Sequence, residues 1–384
     1  MQATPSITSI GIPTRDRPDT VARCLKSYMA NALQFNRQTI FYVVDDSRRP
    51  DIAKRTRQKI DTVAKKYPLA LKYLDRDHRL NIAKRLASKA NVSVELTRYA
   101  LLGDGRCDSS YGAARNTLLL ATVGTLCIQV DDDTICDIGD ASSGTQSPVI
   151  ANDTEPDQYI YFKTRNEALD FAKVISIDFL KIHEALLGKH CNTEPLNSLS
   201  EKSFTKDSFV ANTFMGACGD SGMRSSMNRL FLRGPSFDRL ITSAEAYDWQ
   251  RYTRNIYRAP NRPTFSSNRS TITINIGLDN RGLLPPFPPD LRYEDGVFGE
   301  CMGICIPNGI KGYLPYSIMH DPENERIGQM MYIKNPGMND LLAGILSSFA
   351  PGIPSTDPGL NIPLLGTYLS ELTMQPLDDF REYT

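Results

Sequence analysis

Tyr111–Asp133 reads YGAARNTLLLATVGTLCIQVDDD, and the succession of residue types along it decides the fold class. Over 111–123 the stretch reads as a helix, closed by Gly124, because glycine tolerates the positive φ of a helix C-terminus. TLCIQV over 125–130 is an uncharged apolar run, as a strand buried on both faces of a sheet requires. Asp131, Asp132 and Asp133 follow at once. Helix, buried strand and then a polar cluster is the pattern of an open α/β sheet, in which ligands collect beyond the carboxyl ends of the strands.

Toward the N-terminus the same alternation repeats. SITSIGI over 6–12 predicts a strand, 13–17 a polar turn, and Pro18 a helix start, where its missing N–H costs nothing. Val21, Cys24, Leu25, Tyr28, Met29 and Ala32 recur at helical spacing and give that helix a buried face. TIFYVV over 39–44 is the next buried strand and ends in Asp45-Asp46-Ser47. A basic surface helix over 51–67 and a strand over 69–74 complete the pattern. Three polar clusters therefore sit at strand ends: Thr14 to Arg17, Asp45 to Ser47, and Asp131 to Asp133.

Toward the C-terminus the periodicity weakens. A Gly-, Ser-, Asp- and Pro-rich loop covers 139–157. Thr164 and Glu167 have capping-box spacing and predict a helix running to 187, with Gly188 after it. Gly216 to Gly222 reads as a turn-rich run, 271–276 as a strand followed by turns, and 296–306 as a helix or as one broken near Gly303. The tail after Pro336 carries an apolar helix over 338–349, a Pro-rich connector and a last helix over 365–374.

The 384 residues are 41% hydrophobic and 23% charged, which is ordinary globular composition. Lys+Arg and Asp+Glu are equal at 44 each, which argues against broad nucleic-acid binding, since that needs a net basic face. Met1 leads into polar residues without a secretory pattern, and no apolar stretch approaches the roughly 20 residues that span a bilayer. A soluble, cytoplasmic protein is expected. The eight cysteines are dispersed and lack zinc-motif spacing, so packed thiols are expected, Cys301 and Cys305 on one helix face included.

Among residues that could do chemistry, the aspartates come first. In a strand side chains alternate, so Asp131 and Asp133 point to one side and Asp132 to the other. Two carboxylates so placed suit Mg²⁺ or Mn²⁺, hard cations that prefer oxygen and can bridge phosphates. The bland alternative is a solvated acidic turn.

IGIPTRDRPDTVARCLKSY from Ile10, YVVDDS from Tyr42, the stretch from Tyr111 to Asp133 and YEDGVFG from Tyr293 resemble, in order, the motifs of GT-A glycosyltransferases, particularly family 2. The resemblance covers about the first 135 residues and returns near residue 294. It implies a GT-A fold, a Rossmann-like, mostly parallel sheet flanked by helices, with a helical C-terminal extension. It also implies a catalytic domain over 1–335, with a nucleotide-sugar half over 1–135 and an acceptor half over 136–335, followed by a tail over 336–384. The tail is open to three readings: it embraces the catalytic domain, mediates a homodimer, or packs within a monomer.

By the same resemblance Pro13, Thr14 and Arg15 line the nucleotide pocket, and Asp45 or Asp46 contacts base or ribose. Gly112 and Arg115, at a helix start where free N–H groups favour anions, belong to the nucleotide-sugar site with Asp131 and Asp132. Asp131 and Asp133, completed by His320, hold Mn²⁺ or Mg²⁺. Asp295 is the general base and Glu294 its acceptor-orienting neighbour. Local alternatives stand beside each: caps for Asp45, Asp46 and Asp295, an exposed salt bridge for Arg115, an ordinary hydrogen bond for His320.

The implied activity is inverting transfer of a sugar from a UDP- or GDP-sugar to an acceptor hydroxyl. Two other classes remain. A sugar-phosphate nucleotidyltransferase would carry a GxGxR-type loop after the first strand, where this chain has PTRDRP. A non-catalytic nucleotide-sugar-binding protein would not need both acidic motifs. Trp249, Tyr247, Tyr252 and Tyr257 could stack on a sugar but suit helix packing better, and Arg224, Arg229 and Arg233 read as surface residues.

Overall fold

The computed structural model describes residues 6–140, 144, 147–151, 156–191, 204–223, 229, 232–324, 337–349, 355–376 and 378. The uncharged N-terminal runs form parallel strands β1 (Ile7–Thr14), β2 (Ile40–Asp45), β3 (Leu71–Leu74) and β4 (Thr125–Val130), ordered β3-β2-β1-β4. Helix α1 (Pro18–Gln34) connects β1 to β2, and α2 (Pro50–Ala64) connects β2 to β3. Three helices, α3 (Arg76–Ala90), α4 (Val94–Leu102) and α5 (Tyr111–Ala121), lead from β3 to β4. α1 carries Pro18 in its first turn and buries the six apolar residues its spacing predicts. Because β2 and β4 flank β1 on opposite sides, the carboxyl ends of β1 and β4 form a switch point, where sheets of this kind open a crevice for ligands.

Beyond β4 the sheet is mixed. β5 (Thr134–Asp140), β6 (Val149–Ala151), β7 (Gln158–Phe162), β8 (Val174–Ile175), β9 (Phe209–Asp220), β10 (Asn255–Ala259), β11 (Thr264–Ser266), β12 (Asn275–Asn280) and β13 (Gly309–His320) bring it to thirteen strands. β12 runs antiparallel to β4, with Asn275 opposite Val130. β13 lies parallel to β9 and antiparallel to β5, which sets His320 opposite Thr134. The remaining helices are α6 (Arg165–Ala172), α7 (Phe179–Glu184), α8 (Gly234–Leu240), α9 (Ala244–Gln250), α10 (Glu294–Cys305), α11 (Met338–Phe349) and α12 (Pro358–Thr373). The chain is thus α/β: a parallel block extended by strands in mixed orientation, flanked by helices.

Strand alternation divides the core. Leu126, Ile128 and Val130 of β4 join α1 and α7 in one apolar cluster, whereas Cys127 joins α10, α11 and α12 in another. Leu346 and Leu365 of the tail lie in that second cluster beside Phe298 and Met302. No described helix is long and apolar enough to cross a membrane. All eight cysteines are free, and Cys107 alone is partly exposed.

Several expected elements differ: the last helix, expected over 365–374, already begins at Pro358, and the loop expected over 139–157 contains β6. The helix predicted to reach 187 has its capping box at Thr164, but ends when Lys173 turns left-handed at φ 49; Asp178 then caps a separate α7 with its carboxylate. The turn-rich run 216–222 is mostly strand β9, and its Gly216 serves close approach: a Cβ there would lie 1.8 Å from the Arg258 carbonyl oxygen. The strand predicted over 271–276 is shifted to β12, because β4 supplies a ladder partner for every residue from Asn275 to Asn280. The run α3–α4 was not foreseen.

Candidate functional site

β4 ends at Val130, and the backbone turns there, with the Thr134 N–H donating to the Asp131 carbonyl at 3.2 Å. The turn cancels the alternation expected of an extended strand. Asp132 and Asp133, not Asp131 and Asp133, converge: Arg17 Nη1 lies 3.0 Å from Asp132 Oδ1 and 3.1 Å from Asp133 Oδ2. The Thr14 hydroxyl donates to the other Asp132 oxygen at 2.6 Å. Asp131 turns to Arg115 Nη2, 2.5 Å away. Burial and the neighbouring Asp133 push the Asp132 carboxyl up to about 7. Burial disfavours the Arg17 cation, yet Asp132 and Asp133 together hold it charged beyond its ordinary range.

His320 closes the far side. Its register opposite Thr134 delivers the imidazole to Asp133, with Nε2 3.0 Å from Asp133 Oδ1 and Nδ1 2.6 Å from the Asp220 carbonyl oxygen. Burial alone would depress this imidazole; Asp133 and then Asp220 outweigh it and push it up to about 9. An imidazolium donating from both nitrogens orients Asp133 from behind.

The donor chemistry here suits a hard divalent cation. Two carboxylate oxygens from adjacent residues already converge on one positively charged nitrogen, and Arg17 is 40% exposed, so its guanidinium can be displaced. Mg²⁺-like ions are commonly held by one or two carboxylates, with water and substrate phosphates completing the shell. The fit therefore runs through Asp132 and Asp133, with Asp131 committed elsewhere.

Around the aspartate turn, several expected contacts are already taken. Asp46 is braced by Arg76 and Arg79, each at 2.6 Å, and by the Ser110 hydroxyl. Asp45 accepts from the Ser47 N–H at 2.8 Å and the Tyr73 hydroxyl at 2.5 Å, and burial raises its pKa. Asp46 thus fastens the end of β2 to α3 and to the loop before α5, whereas Asp45 fastens it to β3. Pro13 is buried in β1 opposite Val44, and the Arg15 guanidinium donates to the Asp108 carbonyl. Gly112 admits another chain segment: a Cβ there would lie 1.9 Å from the Pro288 carbonyl oxygen. The Ala113 N–H, at the helix end expected to favour an anion, donates to the Pro289 carbonyl at 3.0 Å.

Glu294 and Asp295 open α10, after Tyr293 in a left-handed conformation. Asp295 Oδ1 accepts from the Gly296 N–H at 2.9 Å, and the side chain is partly exposed, whereas Glu294 is buried. Burial and then Asp295 push Glu294 up to about 7, opposed by Arg115. Burial also raises Asp295, again opposed by Arg115, while Asp131 adds to the rise. Arg115, 3% exposed, thus lies within electrostatic reach of both acidic motifs. Phe287 helps fix the arrangement: it stacks on Phe298 of α10 at 3.8 Å between centroids, and the Arg115 guanidinium lies 5.9 Å from its ring.

Arg17 is the residue that sequence reasoning did not single out. Its signal was the second arginine of TRDRP directly after β1, within a cluster marked only as polar. Trp249 and Tyr247 pack beside buried Tyr159 and Tyr161, and Tyr257 is buried in β10, so packing accounts for these three. Arg233 is exposed as expected. Arg229 is not a surface residue; it is 8% exposed and donates to the Thr253 carbonyl at 2.6 Å. Arg224 lies outside the described residues. Compared with known proteins, the chain matches no family model and no curated protein.

Proposed function

We propose that the chain is a metal-dependent glycosyltransferase of GT-A type, similar to family 2, which moves a sugar from a UDP- or GDP-sugar to an acceptor hydroxyl with inversion. The observation that carries this reading is Arg115: one buried guanidinium pairs with Asp131 at 2.5 Å and opposes the burial-driven rise in pKa of both Glu294 and Asp295. Residues far apart in sequence thereby form one charged system at the sheet end where α/β proteins take ligands.

Asp132 and Asp133 would hold Mn²⁺ or Mg²⁺, oriented by His320. Such an ion, when bound, neutralises charge on the diphosphate as it leaves. Asp295, more accessible than Glu294 and made more basic by burial, takes the acceptor's proton. The acceptor oxygen bonds to the anomeric carbon as the carbon–oxygen bond to the diphosphate breaks on the opposite face. The bonding electrons leave with the nucleoside diphosphate. Glu294 keeps a second carboxyl beside the base, its own pKa raised by burial and by the Asp295 charge.

A thermal-shift screen of UDP- and GDP-sugars with Mn²⁺, followed by hydrolysis and transfer assays on the stabilising donors, tests the reading. Metal-dependent turnover and an inverted product anomer by NMR are expected. Donor binding without hydrolysis or transfer would instead leave a nucleotide-sugar-binding protein.

A further inference from the structure

Between α4 and α5 runs a loop with side chains that serve neither acidic motif. Asp104 and Cys107 in this loop meet Asp290 from the segment leading into α10, and one ligand atom of each lies within 4.8 Å of the others. Among the described residues, this is the one place where three or more such groups gather so closely. Acidic neighbours alone need no cation, but Asp290 adds a second observation. It is 6% exposed; Oδ2 accepts from the Asp104 N–H at 2.9 Å, while Oδ1 has no hydrogen-bond partner. Leaving a buried acceptor unpaired costs about 1–3 kcal/mol, and more for a charged one. The backbone makes room for it: Gly103 has φ 73, and a Cβ there would lie 2.2 Å from Asp290 Oδ1.

We propose that Asp104, Cys107 and Asp290 form a binding site for a thiophilic divalent cation of the zinc class, with water as the fourth ligand. Zinc accepts thiolate and carboxylate together in tetrahedral geometry, whereas Mg²⁺ and Mn²⁺ favour all-oxygen shells. The loop is already shaped for the task. Asp104 Oδ1 accepts from the N–H groups of Arg106 at 2.7 Å and Cys107 at 3.2 Å, which holds both ligand residues on one turn. Arg48 braces the same turn by donating to the carbonyls of Gly105 at 3.1 Å and Cys107 at 2.5 Å. The competing Arg106–Asp104 pair involves an arginine 88% exposed, and such pairs yield readily.

Binding releases the Cys107 proton to solvent. The cation satisfies Asp290 and ties the loop carrying Asp108 and Ser110, the partners of Arg15 and Asp46, to the segment that positions Glu294 and Asp295. The Leu291 N–H already donates to the Ser109 carbonyl at 2.9 Å along the same seam. This site stands independently of the glycosyltransferase reading.

Co²⁺ alone, titrated anaerobically into the full chain, tests it through the near-ultraviolet thiolate-to-cobalt charge-transfer band. We expect the band to saturate at one equivalent, to vanish in Cys107→Ser, to persist in Asp133→Asn, and to need at least tenfold more Co²⁺ in Asp290→Asn. If Asp290→Asn does not fold, Asp104→Asn must show the same weakening. Absence of the band in the wild type, or its survival in Cys107→Ser, overturns the proposal.

Discussion

Raising the pH from 6.5 to 9.5 should remove a defined part of the protein's stability through one side chain, His320. Buried between Asp133 and the Asp220 carbonyl, its imidazole titrates near 9 against an ordinary 6.5. The folded state therefore binds this proton more tightly than the unfolded chain does. Its stabilisation is complete below about pH 6.5 and is lost as pH rises through about 9. At 1.36 kcal/mol per pH unit, that difference amounts to about 3 kcal/mol. Asp132, raised from 3.8 to about 7, has the same sign but loses its share by about pH 7, so the loss between 7 and 9 separates the two groups. Urea unfolding of the wild type and His320→Gln at half-unit pH steps measures the effect, and subtracting the variant removes the contribution of buried thiols. The wild type should lose about 3 kcal/mol more than the variant across this window. Parallel curves would refute the assignment of a buried imidazolium beside Asp133.

Other perturbations probe the remaining parts of the site. Arg17→Ala removes a 40% exposed competitor from Asp132 and Asp133 and should tighten Mn²⁺ binding about fivefold by calorimetry, equivalent to about 1 kcal/mol for a partly screened pair; unchanged affinity would count against these carboxylates as the metal-holding pair. Asp295→Asn should lower kcat about 10²-fold or more while sparing donor affinity, whereas Asp133→Asn should abolish Mn²⁺-dependent donor binding; equal loss of donor binding in both would undo the division of roles. Gly112→Ala, with its Cβ driven against the Pro288 carbonyl, should cost about 1–3 kcal/mol of unfolding free energy, and a melting temperature equal to wild type would show that the contact relaxes freely.

The fold was legible where burial leaves a simple mark. The apolar runs of β1, β2 and β4 carry no charge because both faces are covered, and each ends at a polar cluster because the sheet ends there. The capping box at Thr164 and the tail helix α11 were equally readable, since both depend on local spacing. Long-range geometry was not. Alternation paired Asp131 with Asp133, but the ladder to β12 runs one bond further, to the Ile274 carbonyl accepting the Asp131 N–H at 3.0 Å, and the chain then turns, with the Thr134 N–H donating to the Asp131 carbonyl at 3.2 Å. Asp46 looked available for a ligand because Arg76 and Arg79 reach it from a helix whose apolar face is too weak to announce itself; α3 buries little beyond Arg79, Ala83 and Ala87. Arg17 illustrates the same limit, since its role rests on partners encoded more than a hundred residues later.

The pairing of Val130 with Asn275 also sets a timetable for synthesis. The block β3-β2-β1-β4 and its covering helices leave the ribosome first, and their mutual contacts all lie within the first 130 residues. β4 then waits as an edge strand until β12 emerges, with its amides open to any passing partner. During that interval the aspartate turn lacks the Ile274 acceptor for its first amide, and Arg115 lacks the Thr273 carbonyl beside it. The nascent chain thus completes its charged cleft only after most of its length is made, so a ribosome stalled before residue 275 should display a chain prone to strand exchange and unable to order this turn.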